Sequence, residues 1–175
     1  MLLVFRDAAG LDLGEFTAVY RGSALENCER MYPNEPGAPA ALARYEREHR
    51  AYMEGPFFRE EGGVLFVEAE EGRYLSAVKL CPWKEPGRWH VEALETRPEE
   101  RGKGYGARVL SGAARTMEKA GAVEILSDVA KTNEASIRTH LRCGFRREAE
   151  RWTEADGAVT DKRCTMVYRG GEGNA

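Results

Sequence analysis

"RGKGYG", residues Arg101 to Gly106, places three glycines among two cations and a tyrosine. A glycine inside a regular element costs up to about 1 kcal/mol relative to alanine. Three in one turn therefore mark a tight bend, or a place where something approaches the backbone closely. Beyond the turn, Val109, Leu110, Ala113 and Met117 recur at helical spacing, and Gly121 is placed to end that helix. Before it, "RWHVEALET" (88–96) reads as a strand, separated from the turn by "RPEE". The turn thus opens a helix, where unpaired N–H groups and about half a positive charge collect. With Arg101 and Lys103 alongside, this fits a phosphate or pyrophosphate cradle. The alternative is a flexible surface turn with solvated cations.

Working outward, "VEILSDV" (123–129) reads as a strand. Strand, turn, helix and strand in that order predict a right-handed crossover between two parallel strands. Upstream, "GVLFVEA" (63–69) and "YLSAVKLCPW" (74–83) meet at Glu71-Gly72, and "EPG" (85–87) turns the chain into 88–96. Three strands with short turns predict an antiparallel meander. Leu2–Phe5 reads as a short first strand. Leu11, Phe16, Val19 and Tyr20 predict a helix ending at Gly22, and Leu42, Tyr45, His49 and Tyr52 a second one stopped by Gly55-Pro56. "NEASIRTHLRCG" (133–144) reads as a short helix. "FRREAERW" and "KRCTMVYR" then close the chain as a hairpin over Asp156-Gly157. The expectation is a mixed α/β (α+β) single domain over 1–169, with a flexible tail over 170–175.

The bulk numbers narrow the function. A chain of 175 residues suits one core burying roughly 70% of its unfolded surface. The net charge of −3 disfavours a general nucleic-acid binder. The four cysteines are scattered without a CxxC pair, and His49, His90 and His140 are dispersed, so no metal site is expected. Free thiols point to a reducing cytoplasm. No apolar run reaches the length of a membrane span, and "MLLVF" is too short for a signal peptide.

Two phosphate-binding readings compete. Gly102, Gly104 and Ala107 match G-x-G-x-x-G/A, with Asp128 following on the next strand, which suggests an NAD(P)-binding oxidoreductase. That fingerprint wants the turn directly after its strand and further βαβ units, and this chain supplies "RPEE" and hairpins instead. In the second reading, Arg101-x-x-Gly104-x-Gly106 resembles the [R/Q]-x-x-G-x-[G/A] signature of the GNAT superfamily of N-acetyltransferases. Asn133, Ser136 and Gly144-Phe145 sit as in the second motif of that family, and the predicted element order is similar over nearly the whole chain.

The resemblance implies acetyl-CoA as cofactor and an amine acceptor, acetylated by direct attack in a ternary complex. It implies a splayed strand pair, with a bulge at Leu94, Glu95 and Thr96 whose freed backbone pairs with the pantetheine arm. The Leu94 N–H would face the thioester carbonyl. Arg101, Gly102, Lys103, Gly104, Tyr105, Gly106 and Ala107 would wrap the pyrophosphate, with Asn133 and Ser136 on the following helix. Neutralising a lysine-like amine at pH 7 costs about 4.6 kcal/mol, against about 1 kcal/mol for a peptide N-terminus. Glu92 and His90, two apart and on one strand face, are the candidate bases, Glu92 favoured; the alternative is a strand polar group with a structural hydrogen bond. His140 stands where many members carry a tyrosine that protonates the leaving thiolate. An imidazolium there could do the same; otherwise it only packs.

The first two helices, roughly Phe16 to Phe58, would build the acceptor pocket. Tyr20, Tyr32, Tyr45, Tyr52, Phe57, Phe58 and many carboxylates suit a cationic or aromatic amine, though aromatics at helical spacing are usually core. A non-catalytic acyl-CoA binding module of the same fold is the competing class. No nucleic-acid or membrane partner is expected, and a homodimer is compatible with the reading.

Overall fold

The computed structural model describes residues 1–171, so the expected tail lies, from residue 172 on, outside the described residues. Strand β1 (Leu2–Phe5) is followed by α1 (Leu13–Met31), α2 (Ala38–Glu54) and a one-turn α3 (Pro56–Arg59). The meander is β2 (Val64–Glu70), β3 (Arg73–Pro82) and β4 (Arg88–Thr96). A 3-10 turn at Pro98–Glu100 leads to α4 (Tyr105–Lys119), β5 (Glu124–Ala130) and α5 (Glu134–Arg142). The chain closes with β6 (Arg146–Ala149), β7 (Trp152–Thr153), β8 (Val159–Thr160) and β9 (Arg163–Tyr168). Seven strands form one sheet in the order β1-β2-β3-β4-β5-β9-β6, antiparallel except for the β4–β5 pair.

Both faces of this sheet are covered, which explains the continuous apolar runs in β2 and β3. Val109, Leu110, Ala113 and Met117 of α4 pack with Phe66, Val78, Val91 and Ile125 on one face. Phe16, Val19 and Tyr20 of α1 pack with Met53, Phe57, Leu65 and Val67 on the other. Asp12 caps α1, accepting from the N–H groups of Gly14 and Glu15. Arg97, buried at the end of β4, donates to Glu15 and to the Tyr74 carbonyl, tying α1 to the meander.

Three expectations are corrected. Gly22 does not end α1, which continues to Met31. A Cβ at Gly22 would come within 2.7 Å of the Arg101 guanidinium and 3.2 Å of Pro98, so this glycine serves close packing. The final hairpin is broken: β6 pairs with β9, while β7 and β8 form a separate two-stranded ribbon around Gly157, in the left-handed region at φ 93°. The bulge lies at Glu92, not at 94–96, because Leu80 pairs with Val91 and Lys79 with Ala93.

Candidate functional site

Three features meet at the C-terminal ends of β4 and β5. The first is a fork. The two strands pair only over Arg88–Val91 and Glu124–Ser127; beyond that β5 follows β9 and β4 follows β3. The Arg97 N–H donates to Leu75 of β3. Backbone groups alternate along a strand, so the Leu94 and Thr96 N–H groups turn into the opening.

The second is the glycine turn beside the fork. Gly102 (φ 80°) and Gly104 (φ 88°) are both left-handed, and a Cβ on either would meet nothing within 4 Å. Gly104 is the N-cap of α4 without a side-chain cap, and Arg108 is the first residue to donate back to it. The N–H groups of Tyr105, Gly106 and Ala107 are thus presented at an open helix end. Gly106 lets the helix approach β4: its Cβ would stand 3.2 Å from Thr96 Oγ1. Arg101 folds back on the Thr96 carbonyl at 3.4 Å, and Lys103 pairs with Glu100 at 2.8 Å. An anion at the turn would find an uncapped helix dipole, open space and two nearby cations, so the donor set fits a pyrophosphate.

The third is the acceptor-side face of β4, covered by α1 and α2. Lys79 Nζ is 3.2 Å from Glu92 Oε1 and 3.5 Å from His49 Nε2, surrounded by the Tyr20, Tyr52 and Phe57 rings at 5.1–5.8 Å. The Tyr52 hydroxyl donates to Glu61 and lies 3.3 Å from Glu92. The Tyr20 hydroxyl is buried without a partner; burial and the fields of Glu95 and Glu92 raise its pKa. Burial also raises the Glu95 carboxyl, against the Ser23 hydroxyl and Arg101. Among the described residues, ligand atoms of Glu61, Cys81 and Glu92 lie within 4.8 Å of one another, but Lys79 and Tyr52 already bond these carboxylates.

The expected site residues separate as follows. Glu92 and Glu95 reach the acceptor-side face, joined there by His90 at the fork. Asn133 caps α5 by accepting from the Ser136 N–H at 3.0 Å. His140 is 1% exposed, and its Nδ1–H donates to the Ser136 carbonyl at 2.8 Å, leaving Nε2 bare and partnerless. Burial lowers its pKa, which disfavours the imidazolium that the acid role expected at this position needs. Tyr20, Phe57 and Phe58 are core, while Tyr32 holds Glu48 and Arg44 at the α1–α2 loop, outside the fork. Cys143 is buried, and its thiol donates to the Ala107 carbonyl. Asp128 is engaged by His90 and Arg163, and among the described residues the sheet lacks the repeated βαβ units of a dinucleotide fold. Sequence reasoning missed Lys79 as a site residue, although a lysine inside the apolar run "LSAVKLC" was its signal.

Comparisons with known proteins point to one family and one fold. A family model described as the Acetyltransferase (GNAT) family matches residues 25–145. No curated protein sequence matches the chain. Among solved structures, the chain resembles a PaiA N-acetyltransferase from Thermoplasma acidophilum in complex with coenzyme A. The TM-score is 0.64 at 15% identity, covering 97% of this chain and 99% of that one. A putative acetyltransferase, yncA, from Salmonella typhimurium with its cofactor acetyl-CoA gives 0.62 at 20%, covering 99% and 96%. An aminoglycoside 6'-acetyltransferase type Ii gives 0.64 at 13%, covering 97% and 96%.

Proposed function

Because the chain belongs to the GNAT family of acetyltransferases, we propose that it transfers the acetyl group of acetyl-CoA to an amine of a small molecule or peptide, by direct attack in a ternary complex. The observation that carries this is the open, uncapped glycine turn standing beside the β4–β5 fork. Relatives of the same fold hold coenzyme A or acetyl-CoA, and the residues here fit that group.

When bound, acetyl-CoA supplies an acetyl thioester. The N–H groups from Gly102 to Ala107, with Arg101 and Lys103, hold the pyrophosphate. Backbone groups of Leu94, Glu95 and Thr96 along the free edge of β4 orient the arm, and the Leu94 N–H donates to the thioester oxygen as negative charge develops there. Asn133 and Ser136 fix the start of α5 beside the arm. His140, through its Nδ1–H bond to the Ser136 carbonyl, braces the first turns of α5 there. The acceptor enters between α1, α2 and β4, where Tyr45, Tyr52, Glu92 and Glu95 favour a cationic or aromatic amine. Its proton passes to Glu92 or His90 on this face.

The test is calorimetric titration with acetyl-CoA, with NADH in parallel, followed by thiol release in the presence of amines. Micromolar binding of acetyl-CoA alone, with amine-dependent thiol release, is expected. Binding of NADH instead, or of neither, refutes the assignment. Acetyl-CoA binding with no amine acetylated favours the non-catalytic acyl-CoA module, a reading to which the tyrosine-to-histidine departure at His140 lends weight.

A further inference from the structure

On the acetyl-transfer reading, two residues of β4 compete for the amine's proton, and their surroundings differ. Glu92 is engaged: Lys79 Nζ stands 3.2 Å away, the Tyr52 hydroxyl 3.3 Å and the Cys81 thiol 3.9 Å. Both of its carboxylate oxygens thus already accept from neighbouring donors before an amine arrives. His90 lies at the crotch of the fork, opposite Leu126 and one residue before the last β4–β5 pair. Its Nε2 is 2.8 Å from Oδ1 of Asp128, the first β5 residue past that pairing, and Arg163 holds the other carboxylate oxygen. Trp83 and Trp152 wall the ring at 4.9 and 5.0 Å, Trp152 stacked at 21°. The other nitrogen, Nδ1, has no hydrogen-bond partner among the described residues. The His90 side chain keeps 15% of its surface open to solvent.

We propose that Asp128 and His90 form the proton-accepting dyad of this site. Asp128 is the positioning residue: it takes the Nε2 proton in a hydrogen bond, fixes that tautomer, and leaves the Nδ1 lone pair to receive the proton of the acceptor amine, directly or through one water. Trp83 and Trp152 hold the ring plane and exclude water from its faces. In the step, the ammonium gives one proton to Nδ1, and the neutral nitrogen forms the C–N bond at the thioester carbon. The C–S bond breaks with its electron pair on sulfur, and the second nitrogen proton passes to the thiolate. His90 then releases its proton to solvent, so amide, thiol and one proton leave. Burial pushes the His90 imidazole down to about 4, so the ring is neutral at pH 7 and holds the amine's proton only in passing before giving it to solvent. The charged groups facing it are Asp128 from β5, Arg163 from β9, Glu92 from β4 and Glu154 from the β7–β8 ribbon.

The test has two readouts on the full chain. Long-range ¹⁵N–¹H spectra of the histidines should show His90 protonated on Nε2 and bare on Nδ1 at pH 7, with Asp128→Asn disturbing that tautomer. This needs no acceptor and no folded His90 variant, and Nδ1 protonation in the wild type overturns the dyad. In the second readout, acetyl-CoA with tyramine, spermidine and n-butylamine is followed from pH 6.5 to 9.5. His90→Gln should lower kcat/KM at least tenfold at pH 7 and leave the acetyl-CoA Kd within twofold. The loss should shrink to about threefold at pH 9.5, where the amine loses its own proton. Asp128→Asn should follow the same profile more weakly. A loss independent of pH, a loss under twofold throughout, or the same profile in Glu92→Gln instead of His90→Gln overturns the dyad alone. Wild-type protein that binds acetyl-CoA yet acetylates none of the three amines overturns the transfer reading and the dyad's catalytic role together.

Discussion

Gly104→Val separates the cradle from the fold. Gly104 sits at φ 88°, ψ 2°, where an L-residue pays about 1–2 kcal/mol. Its Cβ would point into open space, so no packing is disturbed. For a chain of this length, that strain lowers Tm by about 2–8 °C. Affinity should suffer more, because the isopropyl group fills the space in front of the Tyr105, Gly106 and Ala107 N–H groups. A hydrogen bond to a charged group contributes about 1.5–3 kcal/mol, so losing one weakens acetyl-CoA ten- to more than a hundredfold. Gly121, at the other end of α4, is the matched control: its φ is 93° and its Cβ would also meet nothing within 4 Å. Gly121→Val should show the same thermal loss with unchanged affinity. Calorimetric titration beside thermal melts of both variants decides the matter. A Gly104→Val protein binding acetyl-CoA within threefold of wild type refutes the cradle, and equal losses in both variants would mean that strain alone is being measured.

Other parts of the site answer to separate perturbations. His140→Ala should lower turnover while acetyl-CoA binding persists, since His140 braces α5 through Ser136 and the cradle lies on α4; unchanged turnover removes any role for His140. Glu15→Ala removes the nearer carboxylate from the buried Arg97 guanidinium, leaving it Glu99 at 3.8 Å and the Tyr74 carbonyl. It should cost about 3 kcal/mol, the low end for a broken buried pair because Glu15 keeps some solvent; a urea midpoint within experimental error of wild type would contradict that account. Acid stability tests the three histidines together. Burial lowers His49 to about 3 and His90 to about 4, and lowers His140 as well. Below pH 6.5 the unfolded chain therefore binds protons that the folded chain refuses, so stability falls as pH drops from 6.5 toward 4. Each such proton contributes about 1.4 kcal/mol per pH unit, and a flat Tm between pH 6.5 and 4.5 would exclude it.

The glycine turn, the α4 stripe and the meander were legible because their signals are local: φ above zero, helical spacing, strand alternation with turn residues. Gly22 misled for the opposite reason. Its small size answers to Arg101 and Pro98, some eighty residues away, not to its own helix. The His90–Asp128 bond spans 38 positions and depends on the register of the parallel pair. A one-residue slip there would turn Asp128 to the other face, and no local pattern fixes that register.

The bulge at Glu92 is the instructive case, because its signal was present. In an uninterrupted strand, Val91, Ala93 and Glu95 share one face and His90, Glu92 and Leu94 the other. That arrangement would bury Glu95 against α4 and expose Leu94 on the acceptor side. The extra residue resets the alternation. Val91 and Leu94 both pack on the α4 side, Ala93 turns to the α1 side, and Glu95 meets the Ser23 hydroxyl of α1. The "HVEALE" stretch carries this break in parity: its apolar residues fall at 91, 93 and 94, which no flat strand can place on one face. The same displacement that delivers Glu95 to the acceptor face aims the Leu94 N–H into the fork, so one inserted residue sets both the acceptor's charge environment and the proposed oxyanion donor.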